Sequence, residues 1–162
     1  MDHSDVLDRV LALLHGREAR FCAIGGVAVN AYVEPVVTLD LDLVVAVADW
    51  PGVEAAFRET FNVQAFPHSV NISDPGSDLR VQIQTDPRYA AFVDRAERRR
   101  VLGVNLPVAR IEDVLQGKIW ALQDPTRRAS KRQKDLADVA RLLEHEPALR
   151  ARVPQEILDK LV

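Results

Sequence analysis

The sequence predicts an α+β domain with a mixed or antiparallel sheet of about four or five strands, flanked by helices and followed by a helical C-terminal part. Three observations lead to this prediction. A strand–turn–helix–strand pattern covers residues 21–45, polar and apolar residues alternate over 78–84, and helical periodicity dominates after Ile111. We therefore expect an α/β core over 1–110 and a helical part over 111–162 that packs on it within one structural domain.

The N-terminal half is predicted to supply two helices and the first two strands. Residues 4–15 place apolar side chains at helical spacing, with Ser4 as the N-cap. Residues 21–45 follow as a strand, a turn, a short helix and a second strand. Another helix is expected from Asp49-Trp50-Pro51 to about Phe61, because proline is favoured in a first helical turn.

The middle of the chain is predicted to supply the remaining strands. Residues 62–72 form one extended segment, 73–77 form a turn by composition, and 78–84 return antiparallel. A short helix is expected over about 87–98 and a strand over 101–108. Apolar periodicity predicts three C-terminal helices: 111–123, about 130–145, and one from Pro154.

Two aspartates, Asp40 and Asp42, interrupt an otherwise apolar strand. Residues two apart on a strand project from the same face, so the two carboxylates lie side by side, and Thr38 joins them. Such a pair suits Mg²⁺ or Mn²⁺, which take carboxylate oxygens together with substrate phosphates. The opposite face is predicted to be buried and carries three leucines: Leu39, Leu41 and Leu43.

A Gly25-Gly26 pair precedes the acidic strand. Glycine lets the backbone approach a ligand closely, and the following helix presents unpaired N–H groups at its positive end. A phosphate binder and a metal binder separated by one helix form the layout of a nucleoside triphosphate site. The alternative is that the glycines only make a tight turn while Asp40 and Asp42 line a solvated face.

This ordered set resembles the signature of the DNA polymerase β-type nucleotidyltransferases, in which GG or GS precedes an acidic DxD strand. Here 13 residues, 27–39, separate Gly26 from Asp40. Two later segments, QGKIWAL and KRQKDLADVARLL, are similar to the small bacterial AbiEii-like nucleotidyltransferases, so the resemblance covers roughly residues 21–143. It implies the nucleotidyltransferase fold, with Asp40 and Asp42 as catalytic metal ligands.

The resemblance also implies an activity and partners. A nucleoside monophosphate would pass from an NTP to a hydroxyl acceptor, which would be tRNA or other RNA, a protein or a small molecule. The chain would be the toxin of a toxin–antitoxin or phage-defence pair, with an antitoxin protein as partner. The residues expected to bind the nucleotide, besides the aspartates, are Gly25, Gly26, Thr38, Lys118, Lys134 and Asp135.

Three of these candidates lie on the C-terminal helices. The resemblance implies that Lys118 reaches the nucleotide phosphates or supports the acidic strand; a lysine snorkelling at the edge of an apolar stripe is the alternative. Lys134 and Asp135 are predicted to line the site, because basic residues crowd the start of their helix against its dipole. A surface ion pair between Lys134 and Asp138 is the competing explanation.

One position departs from the family pattern. The family places a third carboxylate on a following strand, and the corresponding position here is Gln82. Glutamine neither neutralises a second metal nor serves as a general base. Asp78 lies four residues away, about 13 Å along a strand, so it does not substitute directly. A non-catalytic nucleotide- or protein-binding module on the same fold is therefore the alternative function.

The net charge of −3 conceals an uneven distribution. Residues 1–50 hold three arginines and no lysine against eight acids, whereas residues 95–134 hold eleven basic residues against four acids. If the fold brings these segments together, an acidic metal site faces a basic wall, which suits a nucleotide or RNA. Solvated helix surfaces are the alternative.

Other features exclude several classes of protein. The sequence lacks P-loop and dinucleotide-binding motifs, and its histidines lack zinc-ligand spacing. No apolar run reaches the roughly 20 residues of a membrane span, and the N-terminus does not resemble a signal peptide. A single cysteine, Cys22, favours a cytoplasmic location. Tyr89 and Trp120 are interpreted as core or rim residues, although an aromatic ring near a nucleotide site is also able to stack on a base.

Overall fold

A computed structural model describes residues 3–161, with side chains described for residues 6–161. The helices are α1 (His3–Gly16), α2 (Gly25–Asn30), α3 (Trp50–Thr60), α4 (Phe92–Arg95), α5 (Ile111–Gln123), α6 (Ala129–His145) and α7 (Gln155–Leu158). The strands are β1 (Phe21–Ile24), β2 (Asp40–Val45), β3 (Asn62–Ala65), β4 (Ser69–Ser73), β5 (Arg80–Gln84), β6 (Glu97–Val101) and β7 (Val104–Val108). Short 3₁₀ segments cover Pro87–Tyr89 and Pro147–Arg152.

The strands form one mixed sheet in the order β3-β4-β5-β2-β1-β7-β6. The pairs β1–β7 and β2–β5 are parallel, and the other neighbours are antiparallel. The mixed α+β architecture agrees with the prediction, but the expected strand count was wrong, because the sheet has seven strands. The antiparallel return of β5 along β4 agrees with the prediction.

Two hairpins account for the missing strands. Residues 62–72 form β3 and β4, joined by a short connection containing Pro67, and not one extended segment. The predicted strand over 101–108 is only the turn and second strand of another hairpin, since β6 begins at Glu97. Leu102 and Gly103 take positive φ angles of 56° and 78° and make the tight turn between β6 and β7. Its first strand, β6, lies at the sheet edge with mostly exposed charged residues, so it lacks the alternation that predicts a strand.

The other helices lie close to their predicted positions, whereas the helix expected over 87–98 is only a 3₁₀ turn and the four-residue α4. The predicted N-cap Ser4 has its side chain outside the described part of the chain. Within residues 3–161, no helix combines the length and apolarity that crossing a bilayer requires.

The core lies on both sides of the central strands and fixes the acidic strand in place. Leu41 and Leu43 are fully buried, as predicted. Leu39 was expected to be buried with them but is 39% exposed, because it precedes β2 and lies in the loop that enters the strand. Helix α2 contacts β1 and β2, and α5 and α6 contact α2 and each other. The acidic strand is thus bounded by helices from both ends of the chain.

Candidate functional site

The register of the central strands places the acidic pair in the middle of the sheet. Asp42 pairs with Ile24 on β1 and with Gln82 on β5, while Asp40 pairs with Arg80 on β5. Gln82 therefore lies directly beside Asp42, so the position interpreted as that of a third carboxylate adjoins the acidic pair. The departure from the family pattern is located at the acidic pair itself.

Asp40 is held by two cations. Its Oδ1 lies 2.8 Å from Nε of Arg80, and its Oδ2 lies 3.2 Å from Nζ of Lys131. Burial alone would raise the pKa of Asp40, but these positive charges outweigh it and hold the pKa below its ordinary value. The Thr38 hydroxyl accepts a hydrogen bond from the Asp40 amide at 3.2 Å. Asp40 is thus a fixed, ionised carboxylate, and Thr38 orients the backbone that carries it.

Asp42 has a different environment. Its side chain is half-buried, and no residue in the described part of the chain donates a hydrogen bond to its carboxylate or pairs with it. Burial raises the pKa of Asp42, although Lys118 nearby opposes the shift. A half-buried carboxylate without a partner is costly, and a bound cation would remove that cost.

Gly25 packs against Asp42. It has φ of +68°, and a Cβ at this position would overlap the Asp42 carboxylate. Gly26 is different, since its Cβ would lie 3.8 Å from Nζ of Lys134 and 4.0 Å from the Thr38 hydroxyl, which is ordinary contact. Gly25 thus leaves the Asp42 carboxylate accessible, whereas Gly26 forms an open surface beneath Lys134.

These two glycines give a matched pair of substitutions. We expect Gly25→Ala to reduce the free energy of unfolding by roughly 2–4 kcal/mol, because it combines left-handed backbone strain with the overlap on Asp42. Gly26→Ala should change stability by less than about 0.5 kcal/mol, since its Cβ has room. Urea denaturation of both variants measures the difference. Equal losses of stability in the two variants would contradict this description of the turn.

Lys118 is the centre of a buried ionic network. Its ammonium lies 3.0 Å from Asp135 and 2.8 Å from Asp138, and the residue is only 7% exposed. Burial would lower the pKa of Lys118, but the two carboxylates outweigh it and raise the pKa. Arg127 adds two hydrogen bonds to Asp135, at 2.8 and 3.1 Å. The alternative of a snorkelling lysine was wrong, because the ammonium is buried between carboxylates and not in solvent.

The residues of helix α6 divide between this network and the cleft. Asp135 is 1% exposed and lies at the wall of the cleft beside Lys118. Lys134 is exposed and lies over Gly26, where its charge also lowers the pKa of Asp40. The competing Lys134–Asp138 ion pair was wrong, since Asp138 pairs with Lys118 and with Arg141.

Arg141 connects this network to the loop that enters β2. Its guanidinium lies 2.9 Å from Asp138 and donates to the Asn30 side chain at 3.1 Å and to the Glu34 carbonyl at 2.7 Å. The Asn30 amide in turn exchanges two hydrogen bonds with the Val36 backbone, at 2.7 and 3.1 Å. Helix α6 therefore holds the loop that positions the acidic strand.

Removal of this arginine should loosen that loop. We expect Arg141→Ala to lower the free energy of unfolding by about 1–3 kcal/mol, because the Glu34 carbonyl loses its donor and Asp138 keeps only one of its two cationic partners. Hydrogen exchange at the Val36 amide should accelerate more than the global loss of stability accounts for. Arg150→Ala is the matched control, since Arg150 is exposed and its side chain makes no hydrogen bond or ion pair in the described structure. Unchanged hydrogen exchange at the Val36 amide would show that Arg141 does not hold this loop in place.

Four basic residues that pair with the aspartates of the site are not among the residues predicted from the sequence: Arg80, Arg127, Lys131 and Arg141. Arg127 and Lys131 lie in the basic segment of residues 95–134 and Arg141 follows it, but no spacing distinguishes these residues from solvated ones. The arrangement of an acidic pair facing a basic wall is present, since Lys131 of α6 reaches Asp40 across 91 residues of sequence.

The acidic pair opens into a cleft of about 440 Å³ between the sheet and helices α5 and α6. In the described part of the chain, no group of three or more His, Cys, Asp or Glu residues is arranged to hold a metal ion. Mg²⁺ in phosphate-handling sites needs only one or two carboxylates, with water and substrate phosphates as further ligands. Asp40 and the unpartnered Asp42 therefore fit one such ion.

Solved structures with the same fold are nucleotidyltransferases. The antibiotic-resistance factor ANT(2'')-Ia superimposes with a TM-score of 0.62 at 14% identity, over 94% of each chain. Its crystal structure with adenylyl-2''-tobramycin gives 0.59 at 15% identity, over 91% of this chain and 97% of that one. The lincosamide antibiotic adenylyltransferase LnuA gives 0.54 at 10% identity, over 84% and 95%. At these identities the likeness establishes the nucleotidyltransferase-like fold.

A comparison with curated proteins finds no match. The family model described as nucleotidyl transferase AbiEii toxin, type IV TA system, matches residues 12–161. Because this match spans nearly the whole chain and agrees with the fold and the acidic pair, the chain belongs to the AbiEii nucleotidyl transferase toxin family of type IV toxin–antitoxin systems.

Proposed function

We propose that this chain is a metal-dependent nucleotidyltransferase that transfers a nucleoside monophosphate from an NTP to a hydroxyl acceptor, with pyrophosphate as the leaving group. The observation that carries the proposal is the Asp42 carboxylate, which is half-buried, has a raised pKa and lacks a partner in the described structure. It lies beside the ionised Asp40 in a cleft with a basic wall. A divalent cation held by the acidic pair would compensate the unpaired carboxylate, and the phosphates bound with it would compensate the basic wall.

Each group in the cleft has a role in this proposal. Asp40 and Asp42 would hold Mg²⁺ or Mn²⁺, which when bound would offset the negative charge of the phosphates. Gly25 leaves the Asp42 carboxylate free of a neighbouring side chain, and Gly26 leaves room beneath Lys134, so that the β- and γ-phosphates would approach the backbone here. Lys134 lies over Gly26, and its role would be to contact phosphates that approach the backbone there.

The basic side chains of the cleft orient the substrate and stabilise the leaving group. Lys131 and Arg127 line the cleft and face the triphosphate. In the transfer, the acceptor oxygen bonds to the α-phosphorus, the bond to the α–β bridging oxygen breaks, and that oxygen leaves with pyrophosphate. The hydroxyl proton passes to solvent, because Gln82 cannot accept it. Lys118 keeps Asp135 in place and adds its charge near Asp42, so its role is to position the site.

Calorimetric titration tests the binding half of this proposal. Each of the four NTPs is titrated into the wild-type chain with Mg²⁺ and with a chelator. We expect at least one NTP to bind in the presence of Mg²⁺ and to lose most of its affinity when the metal is removed. Absence of binding for every NTP in both conditions would contradict the proposal.

A second candidate function, a non-catalytic nucleotide- or protein-binding module, is favoured by Gln82 alone. The two candidates differ in what a carboxylate at this position would do. We expect Gln82→Asp to raise the Mn²⁺ stoichiometry of the NTP complex from one ion to two, because the new carboxylate lies beside Asp42. Electron paramagnetic resonance counts the bound Mn²⁺, and Gln82→Asn is the uncharged control.

The change in activity then separates the two functions. If the wild type transfers nucleotide at a measurable rate and Gln82→Asp alters that rate, the site is catalytically active with glutamine at position 82. No rate in the wild type and a clear rate in Gln82→Asp would identify a site whose catalytic power has been lost, and would favour the binding module.

The biological role follows from the family. We infer that the chain acts in the cytoplasm on a cellular hydroxyl acceptor, which is tRNA or other RNA, a protein or a small molecule. An antitoxin protein is its expected partner. Induced expression in a bacterial host should slow growth, and an inactive Asp42→Asn variant expressed at the same level should not.

A further inference from the structure

A second cavity of about 450 Å³ opens beside the cleft of the acidic pair. The two cavities share part of their walls, including Gln82, Gln84 and Arg127. Its size is within the range of small-molecule sites, and none of the roles assigned above uses it. A ligand there would lie next to a triphosphate bound at Asp40 and Asp42.

An aromatic platform forms one side of this second cavity. Phe92 and Trp120 stack with ring centroids 5.7 Å apart and an angle of 2° between their planes, and Tyr89 contacts Trp120 edge-on at 5.1 Å. Phe92 and Tyr89 are buried, while Trp120 is half-buried and lines the cavity. The indole is therefore held rigidly by the core from behind.

Arg88 extends this platform into the cavity. Its guanidinium carbon lies 4.7 Å from the centre of the Trp120 ring. Two hydrogen bonds to Oδ2 of Asp86, at 3.1 and 2.9 Å, fix the orientation of the guanidinium. The Arg88 side chain is nevertheless 54% exposed. A planar, fixed and accessible guanidinium over an indole is a surface on which a flat heteroaromatic ring stacks.

The remaining wall carries neutral hydrogen-bonding groups. Within the described part of the chain, the side chains of Gln82, Gln123 and His68 form no hydrogen bond. The charged groups, in contrast, are already engaged, since Asp86 binds Arg88 and Arg127 binds Asp135. Amide and imidazole groups around a stacking surface match the edge of a nucleobase, which presents both donors and acceptors.

From this combination we propose that the second cavity is a nucleobase-binding site, in which the base stacks on the Arg88 guanidinium that Trp120 supports, and the neutral side chains recognise its edge. The base belongs either to the NTP itself or to a nucleoside unit of the acceptor. The biological role of this site rests on the proposed nucleotidyl transfer, but the binding of a base does not depend on the metal site.

Nucleosides are the probe, because they carry the base without phosphates. The chain has two tryptophans, so a ¹⁵N-labelled sample gives two indole N–H signals, from Trp50 and Trp120. Titration with each of the four ribonucleosides should shift the Trp120 signal saturably for at least one base. The Trp50 signal should stay in place, since Trp50 does not line this cavity. Ribose alone is the control for the sugar and should shift neither signal.

Two variants separate stacking from the metal site. Arg88→Lys keeps the charge but removes the planar surface, so the nucleoside should bind about fivefold more weakly, or worse. Asp42→Asn should leave nucleoside binding unchanged. A folded Arg88→Lys variant with unchanged affinity would overturn the proposal, and so would an equal response to ribose or no response of Trp120 to any nucleoside.

A further titration identifies the source of the base. If Mg²⁺–NTP displaces the nucleoside, the site holds the base of the NTP; if both bind together, it holds a base of the acceptor. Failure of nucleoside binding with intact Mg²⁺–NTP binding overturns this inference alone. Nucleoside binding without any Mg²⁺–NTP binding would support the base site and contradict the proposed transfer.

Discussion

Replacement of Asp42 by asparagine is expected to abolish metal-dependent NTP binding and at the same time to stabilise the folded chain. The carboxylate is half-buried without a partner in the described structure, and burial raises its pKa. An asparagine has similar size and carries no charge to desolvate. We expect a gain of roughly 1 kcal/mol in the absence of metal, which is an increase in melting temperature of about 2–4 °C.

The dependence on pH provides a second test of the same residue. A carboxyl whose pKa is raised in the folded state binds its proton more readily folded than unfolded. Its protonated form therefore favours folding at low pH, and this contribution is lost as the pH rises from 3.8 through the raised pKa. The affinity for metal has the opposite pH dependence and rises with pH, since metal binding requires the ionised carboxylate. The stability gain of Asp42→Asn should grow with pH over this interval, whereas NTP affinity of the wild type should fall as the pH falls.

Thermal unfolding across pH and calorimetry with Mg²⁺–NTP measure both effects. Loss of stability in Asp42→Asn at neutral pH, without metal, would show that the carboxylate has a structural partner. Retention of metal-dependent NTP binding in the variant would show that Asp42 is not a ligand of the metal.

Replacement of Lys118 by methionine is expected to cause the largest loss of stability. The ammonium is buried between Asp135 and Asp138, so its removal takes away the buried cation that these two carboxylates share. Such a change typically costs about 3–5 kcal/mol. The matched control is Lys134→Met on the neighbouring helix, which removes an exposed lysine and should change stability by less than about 0.5 kcal/mol.

The pH profile of Lys118 follows from its raised pKa. A lysine with a raised folded pKa contributes stability that is fully present below its ordinary value of 10.5 and is lost only as the pH rises through the higher folded value. The deficit of Lys118→Met should therefore be constant across the neutral range. Urea denaturation at several pH values measures it, and a deficit no larger than that of Lys134→Met would contradict the buried network.

The acidic strand was predictable because its signal is local. Alternation over a few residues placed Asp40 and Asp42 on one face and buried Leu41 and Leu43 on the other. Leu39 was misplaced because alternation does not show where a strand begins. The face of Gln82 was also predictable, since polar and apolar residues alternate along β5 and the polar ones share one face. The structure places that residue beside Asp42.

The cations of the site were not predictable, because they converge from distant elements. Lys131 reaches Asp40 from a helix 91 residues away, and Arg80 reaches it from the neighbouring strand. Long basic side chains reach many positions, so sequence spacing does not distinguish those that line a cleft from those in solvent. The basic edge strand β6 was missed for a related reason, since its exposed arginines carry no hydrophobic period.

The central claim, nucleotidyl transfer, is tested most directly by following two labels of the same NTP. Wild-type chain is incubated with Mg²⁺, total bacterial RNA, protein and small-molecule extracts, and each NTP labelled at the α- or the γ-phosphate. We predict that the α-label becomes attached to an acceptor in at least one fraction while the γ-label is released as pyrophosphate, and that Asp42→Asn does neither. Transfer of the γ-label, or no transfer of the α-label from any NTP to any fraction, would contradict it.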